Sequence, residues 1–441
     1  MNKKTENKAV SPWQWVPSLY FAQGIPYVVV MSVAVILFKR MGMSNTDIAL
    51  YTSGLNLPWV IKPLWSPLVD LLKTKRWWIV VMQILVGAGL AGIALTIQGP
   101  LAFRYCLAFM WLLAFSSATH DIAADGFYML GLNEKKQAYF VGIRNTFYRF
   151  AVIFGQGILV MFAGWLEQRY AREMPETAAI PQAWSLTFYL LTILFALLFV
   201  YHYLFLPHPR RDTCTLPPQQ ASAGRVFKEF PGTFTSFFQK KHIVSALIFI
   251  LLYRFAEAQL VKITSPFLLD TPATGGLALS TAEVGFIYGT IGVIALTIGG
   301  IVGGIAMARR GLKSCLWTMT IAMNLPNIVY LYLSFARPES IGIISGCVAI
   351  EQFGYGFGFT SLTYFMMLFS NGKHQTAHYA ICTGFMALGL MLPGMISGWI
   401  EESIGYRAFF VWIMLCTIPS FWATHLVRKN LTDNHSDNSS R

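Results

Sequence analysis

The stretch AFMWLLAFSSATHDIAADGFYML, Ala108 to Leu130, decides how the chain has to be read. Its first third is unbroken hydrocarbon. With the residues before it, it is long enough to cross a bilayer core ~30 Å thick, which takes about 20 helical residues. Yet Asp121 and Asp125 stand in its second half among small and apolar neighbours. On a helix, Ser117, Asp121, Asp125 and Tyr128 fall at i, i+4, i+8 and i+11 and share one narrow face. An ionised side chain at the centre of a membrane helix costs roughly 2.5–3.5 kcal/mol on insertion scales. This face therefore has to meet a polar interior, which only further helices around it can supply.

The rest of the chain supplies them. Of 441 residues, 55% are hydrophobic and 12% charged, with a mean hydropathy of +0.53; an ordinary soluble domain carries about a quarter charged residues. Apolar segments of spanning length recur at 13–38, 45–70, 77–97, 102–128, 139–165, 184–206, 242–269, 281–306, 314–335, 341–369, 376–400 and 405–427. In lipid every backbone polar group must be paired, so spans are helices or closed barrels. No ten-residue stretch alternates at period two, which argues against a barrel. The expected fold is an all-α polytopic membrane protein with 12 transmembrane helices in two six-helix bundles.

The formal net charge is +13, but its distribution points to topology and not to nucleic acid. Basic residues cluster in alternate loops: Lys3, Lys4 and Lys8; Lys73, Lys75 and Arg76; Lys135 and Lys136; Arg210, Arg211, Arg225, Lys228, Lys240 and Lys241. The series continues with Arg309, Arg310 and Lys313, then Lys373, and lastly Arg428, Lys429 and Arg441. The intervening loops hold Lys39, Arg40, Arg104, Arg169, Arg172, Arg337 and Arg407. By the positive-inside rule both termini are cytoplasmic. The polar start runs directly into a long span, so no removable signal peptide is expected. Five of the six cysteines (Cys106, Cys315, Cys347, Cys382, Cys416) lie in spans and Cys214 in a loop, without a CxxC pair. Neither a disulfide framework nor a metal site is implied, and no cofactor is expected.

The longest segment outside the spans divides them six and six. The organisation expected is an N-terminal bundle, 1–206; a cytoplasmic linker, 207–241; a C-terminal bundle, 242–427; and a tail, 428–441. The end of the linker, VFKEFPGTFTSFFQKK, could form an interfacial helix with Phe227, Phe230, Phe234 and Phe238 toward the lipid boundary. Two halves of six spans suggest the internal duplication that secondary transporters use. Spans 5 and 11 both close on Gly-Trp (Gly164–Trp165, Gly398–Trp399), and spans 2 and 8 both lead into tight basic turns, LLKTKR and ARRGLK.

Eight charged residues are read as lying deep within spans, four acids, Asp121, Asp125, Glu257 and Glu351, against four bases, Lys62, Arg149, Arg254 and Lys262. They are expected to face a shared polar cavity and partly neutralise one another. Three more spans carry polar stripes at helical spacing: Tyr20, Gln23 and Tyr27; Trp59, Lys62 and Ser66; Asn145, Arg149 and Gln156. Carboxylates four apart repel when both are ionised, so Asp125, with Asp121, is the candidate proton carrier and Arg149 its expected counter-charge. Lys62, Asp70, Arg254, Glu257 and Glu351 are read as ion-pair or gating residues. Arg254 and Glu257, at i and i+3, could equally be a plain intrahelical pair, and Lys62 a lysine snorkelling to the interface. Tyr20, Gln23, Tyr27, Trp59, Asn145, Gln156, Lys262 and Tyr355 offer aromatic, amide and cationic contacts for a solute. His120 lies off the carboxylate face and reads as a packing or hydrogen-bonding residue.

PLWSPLVD (63–70) before a basic turn, SSATHDIAADG in span 4 and FAQGIPY (21–27) in span 1 together resemble the AmpG-type muropeptide permeases. These belong to the major facilitator superfamily, near the acetyl-coenzyme A transporter family. The resemblance is clearest over 15–165; Lys62, Trp65, Asp70, Asp121 and Asp125 match its motifs. It implies a proton-driven symporter of the bacterial inner membrane. Such a symporter imports anhydro-muropeptides, N-acetylglucosaminyl-anhydro-N-acetylmuramic acid with or without peptide, from periplasm to cytoplasm for cell-wall recycling. The implied partners are that solute, protons and the bilayer, without nucleic acid, and the expected state is a monomer. His120 stands where glutamine is expected, and twelve spans where some members carry two more.

Other classes fit less well. A transporter for acetyl-coenzyme A, a peptide or a siderophore is the nearest alternative, but coenzyme A would need a strongly cationic phosphate site. A membrane-embedded enzyme would need catalytic spacing, and the chain has no HExxH and no GxSxG; it is not expected to be an enzyme. A signalling scaffold or channel explains the split of spans less well than alternating access. No GxxxxGK[ST] is present, which argues against a primary pump.

Overall fold

The computed structural model describes residues 11–209, 212, 235–371 and 375–439; within these, the side chains of 67, 68, 70, 71, 134, 135, 138, 141, 375–377 and 431–439 are left outside the description. Every regular element among the described residues is helical. Among the described residues eight segments are long and apolar enough to cross a membrane, the longest being Thr281–Ala336 and His378–Asn430 at 56 and 53 residues. Both exceed one crossing, and both are interrupted by a glycine: Gly311 at φ 72°, ψ 166° and Gly405 at φ 77°, ψ 161°. That backbone region is essentially restricted to glycine, so these breaks are written in ARRGLK and EESIGYR. Helices Asn45–Gly54, Leu57–Leu72 and Ile341–Ser370 occupy two further expected spans. Large apolar side chains point outward along the spans, Leu95 at 68%, Leu197 at 64% and Trp399 at 64% exposure. A water-soluble surface rarely carries so much exposed hydrocarbon, and lipid is the solvent that suits it.

The chain divides into two compact units, Met1–Val28 with Trp65–Val152 and Ser185–Ala221, and Val29–Leu64 with Ile153–Trp184 and Ser222–Arg441. In the first, Trp15, Leu19, Ile122, Phe127, Leu132 and Phe140 form one apolar core, with the Trp15 and Phe127 rings edge to face at 5.1 Å. Gly24 explains the small residue in FAQGIPY. A Cβ there would lie 2.6 Å from Cβ of Ala151 and 3.2 Å from the Tyr148 carbonyl, so helices Pro12–Val28 and Glu134–Val152 approach as only glycine allows. In the basic turn LLKTKR, the Thr74 hydroxyl accepts the amide of Trp77 and caps helix Lys75–Thr96.

The second unit is built on Phe249, Tyr253, Leu316, Met319, Met323, Phe365 and Met366. Phe237 packs there fully buried, whereas Phe238 is 46% exposed; Phe227, Phe230 and Phe234 of the expected interfacial helix lie outside the described residues. Several expected spans are not uniform helices. Past Pro26 the first widens into π-helical geometry over Val29–Val33, and Pro326 lies in a 3-10 turn, Leu325–Asn327; proline removes a helical N–H and forces such adjustments. Two more π-helical segments, Ile153–Ile158 and Gly285–Gly292, pack on each other through glycine, where a Cβ on Gly157 would come 2.5 Å from the Thr290 hydroxyl. Expected span 242–269 is broken at Tyr253–Arg254 into Ile243–Leu252 and Phe255–Leu269, with neither proline nor glycine to announce it.

Candidate functional site

In the first unit the two stripes predicted on spans 1 and 4 meet. Tyr20 donates to Asp125 Oδ1 at 3.0 Å, and the Gln23 side-chain amide donates to Asp121 Oδ1. Rising numbers in helix Pro12–Val28 oppose falling numbers in Ala102–Gly131, the register of antiparallel neighbours. Tyr128, the last member of the span 4 stripe, stacks edge to face on Tyr20 at 5.9 Å. Its hydroxyl donates to the Gln137 carbonyl.

The counter-charge is Arg144. Its Nη1 donates to Asp125 Oδ1 at 3.2 Å and to the Tyr20 hydroxyl at 2.9 Å. The guanidinium lies 4.8 Å from the Tyr20 ring and 5.1 Å from the Tyr128 ring, so two aromatic faces hold it in place. The expected partner, Arg149, forms no ion pair among the described residues and stands beside Tyr148. The reason is angular: Arg149 lies five positions after Arg144, and five helical steps turn the side chain about 140° from the first. Asn145 and Arg149 do share a face, but it is not the one turned to Asp125; Asn145 is exposed and Arg149 half-buried. Tyr27 reaches the Tyr148 ring at 6.4 Å. The Asp125 and Arg144 side chains keep 40% and 27% exposure, open enough to exchange a proton or meet a solute.

Behind this group runs a buried chain that sequence reasoning left unassembled. Gln83 bridges His120 at 3.2 Å and His202 at 2.8 Å, and Ser18 reaches the other ring nitrogen of His202 at 3.0 Å. His120 is thus a hydrogen-bonding residue turned away from the carboxylate face.

The remaining predicted residues belong to the second unit, except Asp70, whose side chain lies outside the described residues. Trp59 and Lys62 are half-buried on helix Leu57–Leu72, and Gln156 is buried in the π-helical segment Ile153–Ile158. Arg254 forms no ion pair with Glu257 among the described residues: the chain break at Arg254 (φ −107°, ψ 22°) removes the i, i+3 stacking the pairing needed. Instead its Nη2 donates to the Tyr355 hydroxyl at 2.5 Å, and its guanidinium lies between Tyr355 and Phe359 at 5.1 and 5.0 Å. Glu351 accepts from Tyr330 and Gln352, and buried Lys262 donates to the Thr52 hydroxyl at 3.2 Å.

A further polar network in this unit was not foreseen. Lys39 pairs with Asp270 at 2.7 Å, and the Tyr406 hydroxyl donates to the same carboxylate at 2.5 Å. Asn45 donates to Glu401 at 2.6 Å and to Tyr406 at 2.8 Å. Arg40 pairs with Glu167 at 3.1 Å, which also accepts from Thr281 and Trp184. Lys39 and Arg40 are the basic pair in an otherwise sparsely basic loop, and that isolation was the one sequence sign that they needed partners.

The sequence pattern of the Major Facilitator Superfamily matches residues 18–377. A putative transporter AmpG 4 of Rickettsia conorii is 25% identical over 415 residues, covering 92% of this chain and 93% of its own. The anhydromuropeptide permease of Escherichia coli K12 is 24% identical over 420 residues, covering 94% of this chain and 79% of its own. Among solved structures, nucleoside transporter NupG superposes with a TM-score of 0.68 at 14% identity, covering 94% of this chain and 98% of that one. A D-xylose-proton symporter gives 0.68 at 13% identity, covering 94% and 96%. At those identities the structures show the fold alone.

Proposed function

The chain belongs to the major facilitator superfamily, and from that premise we propose that it is a proton-coupled importer of anhydro-muropeptides. The geometry that carries this reading is the Tyr20–Asp125–Arg144 group, one carboxylate and one guanidinium held together between aromatic rings on membrane-length helices. Likeness to permeases named for that solute, over nine-tenths of the chain, supports the substrate.

The chemistry follows from the pairing. Ionised Asp125 holds Arg144 by a charge-assisted hydrogen bond. A proton on Asp125 cancels its charge and releases Arg144, whose fork then matches the carboxylate of a muramic acid or of a stem peptide. Tyr20 and Tyr128 offer flat faces against which a sugar ring stacks, and Gln23 an amide beside Asp121 for its hydroxyls. When the proton leaves, Asp125 competes for Arg144 again and the solute is let go. Coupled entry of a proton offsets the anion's charge against an inside-negative potential.

Around this site we place twelve spans in two bundles, 1–206 and 242–427, joined by 207–241 and ending in a cytoplasmic tail, 428–441. Both termini are cytoplasmic in a bacterial inner membrane, and the protein works as a monomer without enzymatic activity. On that topology the Lys39–Asp270 and Arg40–Glu167 network lies at the periplasmic span ends and serves as the clasp that closes them. The test is uptake of labelled anhydro-disaccharide into proteoliposomes under an imposed pH gradient, beside a free disaccharide. Gradient-dependent uptake of the anhydro sugar alone is expected. Equal or absent uptake of both would leave only the superfamily membership standing.

A further inference from the structure

The group around Asp125 leaves two carboxyls of the second unit without a part. Glu257, in the first turn of helix Phe255–Leu269, is 3% exposed, and Glu351, on helix Ile341–Ser370, is 1% exposed. They are electrostatic neighbours. Glu351 Oε2 accepts from the Tyr330 hydroxyl at 3.1 Å and from Gln352 Nε2 at 2.9 Å, while its Oε1 is buried without a hydrogen-bond partner. Glu257 Oε2 is buried in the same condition. Neither enters an ion pair among the described residues.

The charged and titratable groups in electrostatic range of them do not neutralise two charges. Arg254, on Glu257's own segment, is in electrostatic range but spends its guanidinium on Tyr355 and Phe359. Tyr288, Tyr330 and Tyr355 come from the segments Gly285–Gly292, Ile328–Ala336 and Ile341–Ser370, and phenols are uncharged donors near neutral pH. Lys262 lies five residues beyond Glu257, turned to Thr52. A further unsatisfied polar side chain lies three residues before Tyr330. Asn327, one turn before Tyr330 and on its face of the helix, is 1% exposed with both amide atoms unpartnered.

Two neighbouring carboxylates in a low-dielectric interior cannot both stay ionised, and the proton that relieves them belongs to the pair rather than to either residue. A proton taken up by the pair would also turn a buried carboxyl whose oxygen has no donor into a hydrogen-bond donor itself. We propose that Glu257 and Glu351 form a second proton-binding site, in which one exchangeable proton is shared by the two carboxyls. Its service in coupling rests on the transport reading above; the proton itself does not.

Infrared difference spectra of the purified full chain, recorded between acid and alkaline pH, test the site without any solute. The parent should show a protonated-carboxyl band that vanishes on alkalinisation, is missing from E257Q/E351Q and survives in D121N/D125N. A band of full amplitude in E257Q/E351Q overturns the proposal. Should that double variant fail to fold, Y330F removes one donor to Glu351 while the pocket stays filled; it should displace the band, and an unmoved band again overturns the site. Sodium added at constant pH should change nothing, and a band displaced by sodium would replace the proton with a metal cation. In proteoliposomes E257Q/E351Q should exchange labelled anhydro-disaccharide across the membrane yet fail to accumulate it under a pH gradient. Undiminished accumulation would overturn the part in coupling, whereas a parent that carries no anhydro-disaccharide defeats the substrate reading and leaves the infrared result untouched.

Discussion

Arg144 and Arg149 separate what the residue pattern could and could not disclose. The stripes of Tyr20 with Gln23 and of Asp121 with Asp125 were legible because each is local, one helix face read at 3.6 residues per turn. The choice between two arginines five apart was not, because it depends on the rotation of a helix about its own axis, which packing sets and sequence spacing does not. Asp125 and Arg144 give the choice a measurable consequence. A hydrogen bond between charged groups contributes about 1.5–3 kcal/mol, and this half-exposed pair belongs at the lower end. Arg144→Gln should therefore lower the rate of pH-driven uptake at least about tenfold, with Arg149→Gln within about threefold of the parent. Equal losses in the two variants would return the counter-charge to Arg149. Asp125→Asn makes a complementary case: it mimics the protonated carboxyl, so solute exchange should persist while pH-driven accumulation is lost. Accumulation at the parent level in Asp125→Asn would remove the proton from this residue.

At the scale of elements, the breaks that glycine or proline announces could be read ahead, and those imposed by neighbours could not. Gly311 and Gly405 end helices by a conformation few other residues adopt, whereas Arg254 sits in a break with no such residue beside it. Gly24 is of the legible kind, a small residue demanded by close helix approach. Gly24→Val would drive branched methyls into Ala151 and the Tyr148 carbonyl, at a cost of about 1–3 kcal/mol for overpacking. A lower denaturation midpoint in detergent checks it, and an unchanged midpoint would mean the helices can part freely. The Lys39–Asp270 pair belongs to the other kind, since its partners lie far apart in sequence. With side chains only 14% and 19% exposed, it should show a coupling of about 0.5–3 kcal/mol in a double-mutant cycle of Lys39→Ala and Asp270→Asn. Strictly additive effects on the midpoint would reduce the clasp to a crystal-like coincidence of charges without energetic weight.

For the molecule as a whole, fold class was the most legible property, because hydropathy and the pairing demand of lipid leave helices as the option that suits this pattern. Which side of the membrane each loop faces rests on a statistical bias of Lys and Arg, and residue contacts do not report it. The two loops Arg309–Arg310 and Arg169–Arg172 separate the possibilities. Arg310 is exposed beside the Gly311 break, and Arg172 is exposed in the turn after helix Leu159–Tyr170. In a background free of native cysteines, Arg310→Cys should react with a membrane-impermeant maleimide in inverted vesicles and Arg172→Cys in right-side-out cells. An odd number of crossings between these two sites is what twelve spans require, since 139–165 ends before Arg172 and 281–306 ends before Arg310. Labelling of both from one side would break that count, and with it the periplasmic placement of Lys39 and Asp270 on which the clasp depends.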